Sequence, residues 1–142
     1  MLIDPAVITT FFLRKKVQLF TGVPDSLLAN FSESIDANKN VLKHYICANE
    51  GNAVAHSIGN YLATQQPSVV YLQNSGLGNI VNPITSLADV NVYKIPIFLV
   101  IGWRGSPGSN DEPQHQTQGR VTKSMLDALS IPYWVLDPKG DP

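Results

Sequence analysis

The chain is short of several things, and each shortage removes a class of protein. It holds a single cysteine, Cys47, so no intrachain disulfide can form and a disulfide-stapled scaffold is excluded. Cys47 is expected inside a buried strand, where packing accounts for a thiol better than reactivity does. Charge of one sign is lacking too: 10 Lys and Arg stand against 11 Asp and Glu, for a net charge of −1. Without a basic footprint, neither nucleic acid nor an anionic membrane surface is expected as a partner. No apolar stretch approaches the length of a membrane span, and Met1-Leu2-Ile3-Asp4-Pro5 is not a basic region followed by an apolar one. A cytoplasmic protein is the expectation. There is no internal repeat and no low-complexity tract.

What remains is ordinary globular material, 142 residues of which 44% are hydrophobic. That length suits one domain, burying roughly two-thirds of its unfolded surface. Asp4 and Pro5 are a good N-cap and first helical residue, so a helix is expected over residues 5–16, with Arg14, Lys15 and Lys16 near its C-terminal end. Strands are expected over residues 17–20, 42–48, 68–73, 95–101 and 133–136, and helices over 26–34, 50–63, 79–90 and beyond 119. Ile95 to Ile101 is the most apolar run and is expected at the sheet centre, while residues 102–119 read as a long functional loop. Strands and helices that alternate in this way imply an α/β fold, a parallel sheet with helices on both faces.

In such a sheet, ligands bind beyond the carboxyl ends of the strands. The residues there are polar: Asp25 after the first strand, Asn49 and Glu50 after the second, Gln73, Asn74 and Ser75 after the third, and Trp103 and Arg104 after the fourth. Glu50 stands out because a carboxylate between an apolar run and a small-residue helix start is half buried, which costs stability unless a partner uses it. Two readings are open, a functional carboxylate or a cap on the first helical turn. Ser75-Gly76-Leu77-Gly78 is likewise open between a phosphate-binding turn and a tight turn that has little room for side chains.

Several segments carry a resemblance: Gly22-Val23-Pro24-Asp25-Ser26, Asn49-Glu50-Gly51-Asn52-Ala53, Gln73-Asn74-Ser75-Gly76-Leu77-Gly78-Asn79, Asn82-Pro83, Gly102-Trp103-Arg104-Gly105, and Asp111-Glu112-Pro113-Gln114-His115-Gln116. Together they resemble the pyrimidine-binding domain of the thiamine-diphosphate-dependent decarboxylases, in the branch that holds the phosphonopyruvate and two-subunit sulfopyruvate decarboxylases. The resemblance implies decarboxylation of phosphonopyruvate to phosphonoacetaldehyde, with a sulfonate substrate as the alternative. It gives Glu50 the task of hydrogen-bonding the cofactor's pyrimidine nitrogen, and puts Asn74, Ser75 and Gly76 beside the cofactor.

The resemblance also implies that Asp25 lies near the reacting carbon, although an N-cap is the other reading of that residue. His115 is a proton donor or a contact to the substrate anion, or else a solvated loop histidine. Arg104, Arg120 and Gln114 are suited to the substrate's phosphonate, the arginines through a guanidinium fork, or else the arginines form surface ion pairs. Trp103 and Tyr71 are assigned to the core or a subunit contact. No metal ligand is expected within the chain. Family members hold the diphosphate and Mg²⁺ on a second domain, which residues 1–142 do not contain, so a second domain or subunit and a homo- or hetero-oligomer are expected. A non-catalytic domain of the same fold, binding a small anion or a partner, is the competing class.

Overall fold

A computed structural model describes residues 4–136. Helix α1 (Pro5–Arg14) starts where Asp4 accepts a hydrogen bond from Ala6 N at 2.9 Å. There follow β1 (Leu19–Gly22), a 3₁₀ turn (Ser26–Leu28), α2 (Ala29–Asp36), β2 (Lys43–Ile46) and α3 (Glu50–Thr64). The chain continues through β3 (Ser68–Gln73), a second 3₁₀ turn (Asn74–Gly76), α4 (Leu77–Pro83), β4 (Ile97–Gly102) and α5 (Pro113–Ala128).

The four strands are parallel in the order β2-β1-β3-β4, so β1 and β3 occupy the centre. Alternate residues of β3 feed two cores. Val69 and Tyr71 pack with Phe12, Phe20, Phe31 and Ile35 on the α1 and α2 face, while Val70 and Leu72 pack with Ala53, Val54, Ile58 and Leu126 on the opposite face. The crossover from β1 to β2 therefore runs over one face, and the crossover from β2 to β3 returns over the other. This is what a constant crossover hand requires when the chain reverses direction across the sheet. The reversal leaves a crevice between the carboxyl ends of β1 and β3, since the loop after β1 leads to α2 on one face and the loop after β3 to α4 on the other.

Five expectations are corrected. Ile97 to Gly102 is an edge strand with Phe98 41% exposed, because strand order follows the crossovers and not apolarity. The second strand is also an edge, exposed at Lys43, Tyr45 and Ile46, and Cys47 lies just beyond it, half buried with its Sγ 3.1 Å from Thr21 Oγ1. The helix expected over 79–90 begins at Leu77 and its regular part ends at Pro83, which has no N–H to donate. A π-helical turn (Ile84–Ala88) then closes with Asp89 N donating to Ile84 O at 2.9 Å. The polar segment is shorter than expected, because Pro113 opens α5 and its buried residues Gly119, Thr122 and Leu126 keep helical spacing beneath a polar surface. Residues 133–136 form no strand. No helix among the described residues is long and apolar enough to cross a membrane.

Candidate functional site at the carboxyl end of the sheet

Glu50 is the first residue of α3, and its side chain is almost wholly buried at 8% exposure. The cap of this helix is its neighbour: Asn49 Oδ1 accepts from Asn52 N at 3.0 Å. Glu50 instead reaches out of its helix, and its Oε2 accepts from Asn79 Nδ2, in the first turn of α4, at 2.6 Å. Glu50 keeps its place as an acidic residue in the first turn of α3, and its carboxyl is in addition held between two helix starts. Its other oxygen, Oε1, has no hydrogen-bond partner among the described residues. Room for the group comes from Gly76, where any Cβ would fall inside the Glu50 carboxyl. The glycine of the Ser75-Gly76 turn thus serves close packing, the tight-turn reading of that segment.

Asn74 does not reach the rim. It is fully buried; its Nδ2 donates to Arg104 O and to Thr122 Oγ1, both at 2.9 Å, and its Oδ1 accepts from Arg104 N at 3.2 Å. It is a strut between β3, the segment after β4, and α5. Ser75 is exposed beside it, with its Oγ accepting from Gln73 Nε2 at 2.7 Å.

Asp25 caps the first 3₁₀ turn through Leu27 N at 3.0 Å, and its Oδ2 stands over Gly102 at the end of β4. The next residue, Ser26, accepts from Arg104 Nη1 at 2.9 Å. Arg104 Nη2 donates to Asp111 Oδ1 at 2.8 Å, and His115 Nδ1 lies 2.9 Å from the same oxygen. Gly105 N and Glu112 N both donate to the Asp111 carboxylate at 2.8 Å. The hydrogen bond from His115, those two backbone groups and the Arg104 charge hold this carboxyl well below the usual carboxylate range, against the opposing effect of burial.

The structure therefore gathers Asp25, Arg104 and His115 around the segment that follows β4, with His115 on the first turn of α5 and not on a loop. Arg120 is not brought into this cluster. It is exposed further along α5 and donates to Thr117 Oγ1 at 3.0 Å. Gln114 is exposed on the first turn of α5. Leu27, Trp103, Arg104, Asp111 and Gln116 line an open depression of about 830 Å³. Trp103 is half buried, with Nε1 donating to Gly119 O at 2.9 Å and the Lys123 ammonium 5.1 Å from its ring. Among the described residues no cluster of three or more His, Cys, Asp or Glu is placed to hold a metal ion.

Sequence reasoning missed Asp111 as the centre of the cluster and Asn79 as the partner of Glu50. Proline at helix position one, immediately before the polar Gln-His-Gln stretch, was the available signal that His115 is helical and that Asp111 lies one turn from it.

A parallel sheet with a directional reversal and a buried carboxylate at the start of the helix after β2 defines an α/β domain with a candidate site at the carboxyl end of its sheet. Residues 6–129 match the family described as thiamine pyrophosphate enzyme, N-terminal TPP binding domain, and the chain belongs to that family. It is 36% identical over 122 residues to a phosphonopyruvate decarboxylase of Streptomyces viridochromogenes, an alignment that covers 86% of this chain and 30% of that protein. It is 34% identical over 118 residues to the sulfopyruvate decarboxylase subunit alpha of Methanococcus maripaludis, covering 83% of this chain and 68% of that subunit. The chain thus spans about a third of the phosphonopyruvate decarboxylases it matches and about two-thirds of the sulfopyruvate decarboxylase alpha subunits.

Proposed function

We propose that this chain is the pyrimidine-binding portion of a thiamine-diphosphate-dependent decarboxylase that acts on phosphonopyruvate. The observation that carries the reading is the Glu50 carboxyl: nearly buried, its helix capped by Asn49 instead, anchored on Asn79 through Oε2 and with Oε1 unpaired among the described residues. The site fits the cofactor's pyrimidine in chemistry, since a fixed and nearly buried carboxyl presents one hydrogen-bonding oxygen to a ring nitrogen. Glu50 would hold that ring, with Ser75 and the Gly76 backbone beside it. Thiamine diphosphate, when bound, supplies the electron sink that cleavage of a 2-oxo acid needs.

In the reaction the bond between the ketone carbon and the carboxylate breaks, carbon dioxide leaves, and a proton takes its place to give phosphonoacetaldehyde. Asp25 and His115 are the chain's candidates for moving that proton. Arg104 is its candidate for the substrate's phosphonate, with Gln114 on the same helical turn as His115. Arg120 has weaker support, since it stands outside the cluster. The diphosphate and Mg²⁺ would fall to a second domain or subunit. A cytoplasmic enzyme is consistent with the composition.

A second reading, the alpha subunit of a sulfopyruvate decarboxylase, is supported by identities of 34%, 32% and 31% to three such subunits. Titration of thiamine diphosphate and Mg²⁺ into the chain, alone and mixed with a candidate diphosphate-binding chain, tests both. Carbon dioxide release from phosphonopyruvate only in the mixture is the expected result. Release from sulfopyruvate alone supports the second reading, and no binding in either case removes the cofactor role from Glu50.

A further inference from the structure

Oδ1 of Asp111 takes two side chains at once, Arg104 Nη2 at 2.8 Å and His115 Nδ1 at 2.9 Å, while Oδ2 accepts from Gly105 N at 2.8 Å. His115 Nδ1 is contested, because Arg104 Nε and Nη2 stand 3.4 and 3.2 Å from it. One ring nitrogen cannot donate to Asp111 and accept from Arg104 together. The carboxylate contact is the shorter and is charge-assisted, and Arg104 already has Asp111 and Ser26 as acceptors. The proton therefore belongs on Nδ1. Nε2 of His115 has no hydrogen-bond partner among the described residues, and the side chain is 18% exposed.

We propose that Asp111 is a positioning residue: it holds neutral His115 as the Nδ1–H tautomer, ties the ring to Arg104, and leaves Nε2 as the bare nitrogen that exchanges a proton at the site. The catalytic meaning of this arrangement rests on the decarboxylase reading, whereas the tautomer itself does not. A histidine's tautomer is set by the bond its other nitrogen makes, so a carboxylate on Nδ1 decides which nitrogen does chemistry. Arg104 is held by the same carboxylate, which places the candidate anion contact and the candidate proton carrier in fixed register.

The test is nitrogen NMR of the full 142-residue chain, with no cofactor or substrate, taken to a pH at which the His115 ring signals stop moving. The expected result is the bare-nitrogen signal at Nε2 in the wild type. In Asp111→Ala it should move to Nδ1, and in Asp111→Asn, whose amide oxygen can still accept from Nδ1–H, it should stay at Nε2. A bare Nδ1 in the wild type overturns the proposal, as does a folded Asp111→Ala chain that keeps a bare Nε2. Should Asp111→Ala fail to fold, the wild type and Asp111→Asn decide: a bare Nε2 in both supports the proposal and a bare Nδ1 in either overturns it. Absence of decarboxylase activity would leave these signals unchanged, so the two ideas fail separately.

Discussion

Gly76 and Glu50 are in such close contact that no side chain fits at position 76 while the Glu50 carboxyl keeps its place. The buried carboxylate depends on a glycine that follows it by a helix and a strand. Replacing Gly76 by alanine should push the carboxyl off Asn79 and lower stability by about 1–3 kcal/mol, the usual cost of overpacking. Thermal unfolding of the isolated chain checks the stability loss. Cofactor titration of the assembled protein should show weaker binding at temperatures where the variant stays folded.

Asn79 is the one hydrogen-bond partner of the Glu50 carboxyl among the described residues. Asn79→Ala should cost about 1–3 kcal/mol, because it leaves a buried acceptor unpaired. Chemical denaturation measures it. The double variant Glu50→Ala/Asn79→Ala, compared with both single variants, should show a coupling energy clearly different from zero, and simple additivity would mean that the 2.6 Å contact carries no energy.

Tyr71 crosses the sheet beneath α2 to meet His44 Nε2 at 2.7 Å, and His44 Nδ1 meets Asp36 at 2.7 Å. Burial pushes the Tyr71 phenol up to about 12 from its ordinary value near 10, partly offset by a hydrogen bond with Ser32. A raised value in the folded state means that folding favours the protonated phenol. That contribution is complete below about pH 10 and is lost as the pH rises through about 12. An alkaline unfolding series should therefore show a steep fall in this window. Tyr71→Phe should flatten it, and an unchanged fall in that variant would assign the transition to other groups.

Asp111 behaves in the opposite sense. Its folded-state value is depressed, so its contribution is present above the ordinary carboxylate value near 3.9 and disappears as the pH falls through the lower folded value. The contacts of Arg104 and His115 with Asp111 should persist at about pH 4, where an ordinary aspartate is half protonated. Fluorescence of Trp103, in a Trp134→Phe background, should hold constant down to that pH if they do.

Gly105 and Gly119 meet backbone to backbone, and a Cβ at 119 would lie within the Gly105 carbonyl group. Gly105 also adopts φ +64°, which favours glycine. Gly119→Ala should separate α5 from the segment after β4, destabilise the chain by about 1–3 kcal/mol, and disturb the Asp111 and His115 contacts. Hydrogen exchange at the start of α5 should rise more than exchange in β3.

The α/β class, the alternation of elements, and the gathering of polar residues at one end of the sheet were legible in the sequence, because Val69 to Leu72 is a short unbroken apolar run and Ala53, Val54 and Ile58 keep helical spacing. Strand order was not legible. Ile97 to Ile101 reads as central because apolarity records how much of a strand is covered and carries no information about its neighbours in the sheet. Asp25, Arg104 and His115 were found as rim residues, whereas Asp111 was passed over because its role arises from a helix turn that begins at Pro113 amid polar residues. Asn74 was misjudged for a related reason: a strand-end asparagine looks the same whether it faces solvent or braces the backbone behind it. Its burial is a property of α5, which the local sequence does not contain.

That brace also fixes when the site acquires its shape. Asn74 grips residue 104 by both its N–H and its carbonyl, so the segment bearing Arg104 is joined to the turn bearing Gly76 as soon as β3 and β4 pair. The ordering entropy of this part of the rim is spent during folding and not at each encounter with a ligand. A molecule arriving there meets a surface already assembled, and its rate of capture should follow diffusion and charge, with no slow step set by the time a loop needs to settle.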